Sequence, residues 1–118
     1  LMREATNRCR LILEGQAIMC SLPYEVLQGQ GLVQTETDNV LELMRSLKGV
    51  EAAALLREIE PNVVKISIRT KSRINAAELA SQLAGGGHIR AAGCTYQGAL
   101  ELAEKTLVQM FMQALSDK

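Results

Sequence analysis

The stretch 63–71, VVKISIRTK, carries polar side chains at every second position. If it forms a β-strand, Ser67, Arg69 and Lys71 point to the same side, because successive side chains alternate between the two faces. A guanidinium can bind a phosphate through two parallel N–H donors, and an ammonium adds a point charge. The pattern therefore predicts a phosphate cradle, with a solvated strand face as the alternative, and places Thr70 on the opposite face.

A second candidate site is the run GGGHIRAAG, 85–93, which holds the only histidine of the chain. The run follows a predicted helix and so lies at the negative, carboxy-terminal end of the helix dipole, which does not favour anion binding. Glycines without a Cβ atom allow backbone amides to form an anion-binding nest, and the histidine can donate a hydrogen bond to a phosphate oxygen. A structural turn with a partly buried histidine is the alternative. The predicted binding residues are Gly85, Gly86, Gly87, His88 and Arg90, the last of which is otherwise a solvated side chain.

Length and composition limit the classes of function. The 118 residues suffice for one compact domain, and 47% are hydrophobic but only 3% aromatic, which predicts an aliphatic core. The 13 basic and 13 acidic residues balance, so we expect a local basic pocket rather than the broad positive surface that long duplex nucleic acid requires. The three cysteines have neither zinc-site nor disulfide spacing and indicate reduced thiols in a cytoplasmic protein. No apolar run approaches the roughly 20 residues of a membrane span.

Acidic and histidine side chains are too few for catalysis by this chain alone. It contains two aspartates and one histidine, whereas a two-metal hydrolytic centre needs several such ligands. A Ser-His-Asp set is not credible either, since Asp38 is the predicted cap of a helix and Asp117 lies in the terminal tail. The chain is therefore expected to bind a substrate rather than to transform it, as a fragment of a longer protein.

Hydrophobic spacing and turn residues predict the elements that position these residues. Helices are predicted over 2–14, 38–48 with Asp38 as cap, 75–84 with Asn75 as cap, and 98–116, while 24–30 is ambiguous, with one helical turn as an option. Strands are predicted over 15–22, 50–60, 63–71 and 91–97, and the middle two form an antiparallel hairpin around Pro61. This order predicts an α/β or α+β single domain in which helices flank a mixed β-sheet.

Three stretches resemble a known family. GGGH, two further residues and AAG, within 85–93, are similar to the signature of the DHH-associated domain, the carboxy-terminal domain of DHH-family phosphoesterases. KISIRTK, 65–71, resembles the K-x-S-x-R-S-K strand of that family, and GVEAAALLREIE, 49–60, resembles the strand before it. The pattern fits best the branch of NrnA-like oligoribonucleases, 3′-phosphoadenosine 5′-phosphate phosphatases and exopolyphosphatase-related proteins. The resemblance extends from about 35 to 115.

The resemblance implies a two-domain enzyme. An amino-terminal DHH domain would bind manganese or another divalent metal and perform hydrolysis. The present domain, 1–118, would close over short RNA, short DNA or a nucleotide phosphate, and its first part, 1–34, would include the linker helix. Metal-bound hydroxide would then attack a phosphoester that Arg69 and His88 hold and orient.

The same resemblance assigns the supporting residues. Gly86 and Gly87 would form the floor of the loop, and Ser67 and Thr70 would supply hydroxyl groups. Thr70 stands where serine is usual, which keeps the hydroxyl. Ala84 stands where a fourth glycine is frequent, which slightly stiffens the start of the loop.

Two other functions stay open at this point. Related domains occur attached to alanyl-tRNA synthetases, so a nucleic-acid-binding module without chemistry is one alternative, and the scarcity of aromatic residues for base stacking argues against it. The other is a structural or oligomerising domain, a homodimer included, because helices 38–48 and 98–116 could each bury an apolar stripe against a partner. The substrate is left open among short RNA, an adenosine bisphosphate, a cyclic dinucleotide and a DNA end.

Overall fold

The structure, a computed structural model, describes residues 8–27 and 34–116. The strands of this part are β1 (Cys9–Ile12), β2 (Ala17–Leu22), β3 (Ala52–Glu60), β4 (Val63–Thr70), β5 (Gly86–His88) and β6 (Ala91–Gln97). The helices are α1 (Tyr24–Leu27), α2 (Gln34–Arg45), α3 (Ala76–Ser81) and α4 (Leu100–Ser116), and a 3-10 turn covers Leu13–Gly15. None of these helices combines the length and apolar character needed to cross a membrane.

The strands form one sheet in the order β1-β2-β3-β4-β6-β5. β2 and β3 are parallel, and every other neighbouring pair is antiparallel. The parallel pair needs a long crossover, and α1 and α2 lie on it, whereas β3–β4 and β5–β6 are hairpins with short turns. The predicted mixed sheet with an antiparallel hairpin, flanked by helices in a single α+β domain, is confirmed.

The two faces of the sheet have separate cores. α3 and α4 pack on one face, where Ile66, Ile68 and Phe111 belong to the larger buried cluster. On the opposite face, Leu41 of α2 packs with Ile18 and other side chains of β2 and β3. We call the rest of this second face, on β4, β6 and β5, the open face. Its positions are Lys65, Ser67, Arg69, Ala91, Gly93, Thr95, Gly86 and His88, all of them half-buried or exposed.

The first predicted helix, 2–14, is wrong where the structure describes it. Cys9–Ile12 is a strand that pairs antiparallel with β2. Leu13 and Glu14 have φ values of 51° and 58°, a left-handed conformation that a right-handed helix cannot contain. Tertiary pairing therefore overrides the helical spacing of the apolar residues, and a linker helix is excluded for 8–14. Residues 2–7 lie outside the described part of the chain.

The other predicted elements are confirmed, with shifted ends. Each predicted strand is present, its bounds moved by no more than two residues, which is the usual uncertainty of element ends. One helical turn forms at Tyr24–Leu27, and 28–30 lie outside the described residues. α2 covers Gln34–Arg45, so Asp38 lies inside the helix and the prediction that it caps the start is wrong. Asn75 does cap α3, and its side chain accepts a hydrogen bond from the Glu78 N–H.

Candidate functional site

The open face brings Arg69 and His88 into one cross-strand row. Arg69 lies opposite Ala91 in the β4–β6 pair, and Ala91 lies opposite His88 in the β6–β5 pair. Opposed residues of antiparallel strands share a face, and two strand spacings place about 10 Å between the outer Cα atoms. The residue between them in this row is Ala91, whose side chain is a single methyl group, so Arg69 and the exposed His88 lie on either side of a small residue.

The guanidinium of Arg69 is held by α2. Its Nη2 atom lies 3.2 Å from Oδ1 of Asp38, and the Arg69 side chain is only 15% exposed. Its Nη1 atom donates to the Ile68 carbonyl oxygen at 3.1 Å. A guanidinium has further N–H donors beyond these contacts. Asp38 therefore orients the group that was predicted to contact phosphate, and sequence reasoning missed this pair because it treated Asp38 as a helix cap.

The glycine run forms the edge strand β5 instead of the expected nest. Gly87 has a φ of +148°, and a Cβ atom there would lie 2.6 Å from the Ala92 Cα atom. At Gly85 a Cβ atom would overlap the Gly93 carbonyl oxygen and lie 2.5 Å from the Cys94 Cβ atom. The close approach of β6 therefore requires these two glycines, independently of any ligand.

Gly86 differs from its two neighbours. A Cβ atom at Gly86 would meet nothing within 4 Å. Gly86 lies opposite Gly93, which in turn lies opposite Ser67, so this row shares the open face with Arg69 and His88. The half-buried Ser67 thus brings its hydroxyl to a floor made of glycine backbone, and Gly86 is the glycine of the run with free space toward a ligand.

Ala84 occupies a left-handed position at the end of α3. Its φ is 64°, and the Gly85 N–H donates to the Ala80 carbonyl oxygen at 2.8 Å. A residue past a helix end with this conformation and this type of bond is usually glycine. The structure therefore gives a local reason why a glycine is favoured at this position.

Thr70 and Arg90 clamp the turn that follows His88. The buried Thr70 hydroxyl donates to the Ile89 carbonyl oxygen at 3.2 Å and accepts from Arg90 Nη1 at 3.1 Å. Arg90 also donates to the carbonyl oxygens of Ile74 and Ser72, both at 2.7 Å. Both residues, predicted to contact ligand, thus have internal partners and position the turn, and Thr70 lies on the core face as predicted.

Lys71 and Glu51 stabilise the loop between β4 and α3. Lys71 lies past the end of β4, and its Nζ atom donates to the Leu47 carbonyl oxygen at 3.2 Å, away from the Arg69–His88 row. The buried Glu51 carboxylate accepts from the N–H groups of Ser72, Arg73 and Ile74 at 3.1, 2.6 and 2.9 Å and from the Ser72 hydroxyl. Burial opposes ionisation of Glu51, but these donors outweigh it and lower its pKa.

A groove beside the floor row contains two cations that sequence reasoning did not select. It holds about 470 Å³ and is lined by Arg57, Lys65, Ser67, Thr95 and the glycines Gly85 and Gly93, together with apolar side chains. The buried Nε atom of Arg57 has no hydrogen-bond partner among the described residues. Lys65 is one of the alternating polar positions of the stretch 63–71, whereas Arg57 follows an apolar stretch and has no periodic signal.

The described residues contain no group of three or more His, Cys, Asp or Glu side chains that could hold a metal ion. Cations and hydroxyl groups dominate the open face, so its donor set suits an anion and not a metal. Guanidinium, imidazole and hydroxyl groups are the side chains that commonly contact phosphate in proteins.

A family model decides the relationship, because the DHHA1 domain matches residues 17–117. The chain belongs to the DHHA1 domain family. This match contains β2 to β6 and every position of the open face. The resemblance to the DHH-associated domain is thereby confirmed, and so is the NrnA-like branch.

Three known proteins are similar to this chain in sequence or in fold. The chain is 37% identical over 65 residues to the bifunctional oligoribonuclease and PAP phosphatase NrnA of Thermus thermophilus, covering 55% of this chain and 20% of that protein. An exopolyphosphatase-related protein from Bacteroides fragilis has a TM-score of 0.78 at 26% identity, over 98% of this chain and 33% of that one. A pGpG-specific phosphodiesterase, PggH, from Vibrio cholerae has a TM-score of 0.63 at 14% identity, over 99% of this chain and 38% of that one, and shares the fold.

The DHHA1 domain described here therefore corresponds to a part of its relatives. It spans a fifth of the length of the Thermus protein and a third of the Bacteroides chain. The match to the DHHA1 model and the Thermus relative support a domain of the kind found in DHH phosphoesterases.

Proposed function

We propose that this DHHA1 domain is the substrate-binding domain of a metal-dependent DHH phosphoesterase. It holds the phosphate and nucleotide end of a short oligonucleotide or nucleoside bisphosphate. The observation that carries the proposal is the row of Arg69, Ala91 and His88, which places a guanidinium and an imidazole on the same face of the sheet with only an alanine between them. The name of the Thermus relative, an oligoribonuclease and PAP phosphatase, supports the same substrate class.

The chain's own residues bind and orient in this proposal. Arg69, oriented by Asp38, offers a charge-assisted hydrogen bond to a phosphate oxygen, and His88 donates a second one from the edge strand. Ser67 adds a hydroxyl, and Gly86 lets the ligand approach the backbone. Thr70 and Arg90 position the turn after His88. Hydrolysis belongs to the amino-terminal DHH domain of the parent enzyme, which would supply manganese or another divalent metal in a cytoplasmic setting.

A chemical-shift titration of the 118-residue chain with a 5′-phosphorylated dinucleotide tests the binding role. We expect shifts in the amides of 85–93 and of Ser67–Lys71, and a loss of affinity of at least about tenfold in Arg69→Gln and His88→Ala. Lys105→Gln is the matched control, because Lys105 is an exposed cation of α4 on the other side of the sheet. Unchanged affinity in both site variants would show that this row is not the binding site.

A kinetic assay of the parent enzyme gives an independent readout. Arg69→Ala and His88→Ala should lower kcat/KM on short RNA by about a hundredfold, since each removes an oriented contact to the phosphate. If both variants keep the parent value, the assignment fails. A concentration-dependent dimer with no affinity for nucleotides would instead favour the oligomerising alternative.

A further inference from the structure

The edge strand β1 takes no part in the proposed phosphate contacts, and its first residue faces another cysteine. Cys9 lies opposite Cys20 in the antiparallel β1–β2 pair. Directly opposed residues of antiparallel strands share a face, and their Cα atoms are about 4.5 or 5.5 Å apart. Cα atoms joined through a disulfide are about 4.4–6.8 Å apart, so the register brings the two thiols within bridging distance. No sequence motif marks this pair, because the turn at Leu13–Gly15 sets its register.

The two thiols have different surroundings. Cys20 is fully buried in the cluster that α2 covers, whereas Cys9 lies at the edge of that cluster and is partly exposed. The Cys20 thiol donates a hydrogen bond to the Cys9 sulfur, which lowers the pKa of Cys9 although burial opposes this. The same bond and burial raise the pKa of Cys20. Cys9 is therefore the thiolate that a solute can reach, with a protonated thiol beside it, and this arrangement is typical of redox-sensing cysteines.

The third cysteine, Cys94, lacks this arrangement. It lies on β6 and packs against the core on the other face of the sheet, and burial raises its pKa. The residue opposite Cys94 in the β4–β6 pair is Ile66, so no second thiol opposes it there. Cys94 therefore serves as an internal control, a half-buried cysteine without the paired thiol.

A bridge between Cys9 and Cys20 would close the open end of the β1–β2 hairpin. The pair Ile12–Ala17 adjoins the turn, and the pair Cys9–Cys20 is the last one at the opposite end of this short ladder. β1 is an edge strand and pairs with β2 alone among the described strands. The ends of such strands open more readily than the central strands of a sheet. A disulfide would therefore fasten the end of β1 that lies away from the turn.

The geometry of opposed residues favours a reversible bridge. Opposed side chains of antiparallel strands have Cβ atoms about 4.5–5.5 Å apart, whereas the Cβ atoms of a relaxed disulfide are about 3.8 Å apart. Formation of the bridge must draw the two strands together by about 1 Å. A disulfide strained in this way is reduced more readily, and labile disulfides are the ones that act in regulation.

We propose that Cys9 and Cys20 form a redox-responsive pair, which hydrogen peroxide converts into a reversible cross-strand disulfide that fastens β1 to β2. The Cys9 thiolate attacks one peroxide oxygen, the O–O bond breaks, and Cys9 becomes a sulfenic acid while hydroxide leaves. The Cys20 sulfur then attacks the Cys9 sulfur, the S–O bond breaks, and the Cys20 proton leaves with the hydroxyl group as water. The two cysteines lose two electrons in total, which reduce the peroxide to water and hydroxide. This inference does not depend on the proposed function.

The test treats the fully reduced 118-residue chain with hydrogen peroxide, removes the excess with catalase, and follows the products by mass spectrometry and thermal unfolding. We expect a loss of two hydrogen atoms, a linked peptide that contains Cys9 and Cys20, and a rise in Tm of about 5–15 °C that dithiothreitol reverses. Cys94→Ser is the matched control and should keep these changes, whereas Cys9→Ser should lose them. In Cys20→Ala the reaction should stop at the sulfenic acid of Cys9, which dimedone traps.

Several results would overturn the proposal. One is oxidation of Cys9 to a sulfinic acid without any linked peptide, and another is a disulfide between the Cys94 residues of two chains that forms before the link of Cys9 to Cys20. A bridge that leaves the Tm unchanged would show that it does not fasten β1, and one that dithiothreitol fails to reduce would contradict its reversibility. If Cys20→Ala does not fold, the linked peptide of the parent and its loss in Cys9→Ser still decide the question.

Discussion

At the four residues 84–87, adding or removing one methyl group tests the contribution of packing and that of ligand binding separately. At Gly87, alanine would have to adopt a φ of +148° with its Cβ atom 2.6 Å from the Ala92 Cα atom. Strain of this kind costs about 1–3 kcal/mol and overpacking a further 1–3 kcal/mol. We therefore expect Gly87→Ala to lower the free energy of unfolding by about 2–6 kcal/mol. Gly85→Ala should cost about 1–3 kcal/mol, because the added Cβ atom would overlap β6.

The two other positions of this series should behave in the opposite way. Ala84 has a φ of 64°, which costs a residue other than glycine about 1 kcal/mol, so Ala84→Gly should stabilise the domain by about that amount. A Cβ atom at Gly86 meets nothing within 4 Å, so Gly86→Ala should change the free energy of unfolding by less than about 1 kcal/mol. Its methyl group would nevertheless stand on the open face, so we expect the affinity for the 5′-phosphorylated dinucleotide to fall at least about tenfold.

Urea unfolding and the same nucleotide titration measure both properties on each variant. Gly86→Ala is informative because the protein keeps its fold while ligand access is blocked, and Ala84→Gly is the matched control, which alters the same loop without adding an atom. Full binding by Gly86→Ala would refute the assignment of Gly86 to the ligand site. A Gly87→Ala variant as stable as the parent would contradict the packing argument.

Two further predictions concern titrating groups. Donors to the Glu51 carboxylate, opposed by burial, lower its pKa below the unfolded value of about 4.3, so its contribution is complete above about pH 5 and is lost as pH falls through the folded pKa. Glu51→Gln should cost about 1.5–3 kcal/mol at pH 7. Urea unfolding at several acidic pH values should also show that the variant loses less of its free energy of unfolding between pH 5 and pH 3 than the parent does. An equal loss in both proteins would contradict the role of Glu51. Cys9 lies opposite Cys20 in the β1–β2 pair, and the hydrogen bond from Cys20 lowers the pKa of Cys9 despite burial. The same hydrogen bond and burial raise the pKa of Cys20, and burial raises the pKa of Cys94. Iodoacetamide at pH 8 should therefore label Cys9 first, as peptide mapping measures. Faster labelling of Cys94 would show this prediction to be wrong.

The strands of the site could be predicted because their local hydrophobic pattern agrees with the burial of each side chain in the fold. In β4 the buried Val64, Ile66 and Ile68 alternate with polar residues, and the period of two permits no other regular element. The strand β1 could not be predicted, because its apolar residues satisfy a helical spacing equally well. Only its pairing with the next strand, β2, which places Cys9 opposite Cys20, decides between the two.

The residues of the site can likewise be predicted from the sequence only in part. Arg69 and His88 are visible as residue types, but their common row depends on β6 lying between β4 and β5, a strand order that no local pattern contains. The contribution of Asp38 cannot be predicted for a related reason, because it comes from a contact with Arg69 across 31 positions of the chain.

The pair of Asp38 and Arg69 shows how the domain holds a cation in place. Asp38 lies 3.2 Å from the Arg69 guanidinium and offsets part of the cost of keeping this charge in a partly buried position. The guanidinium is therefore oriented by the fold itself, and its position does not depend on a ligand.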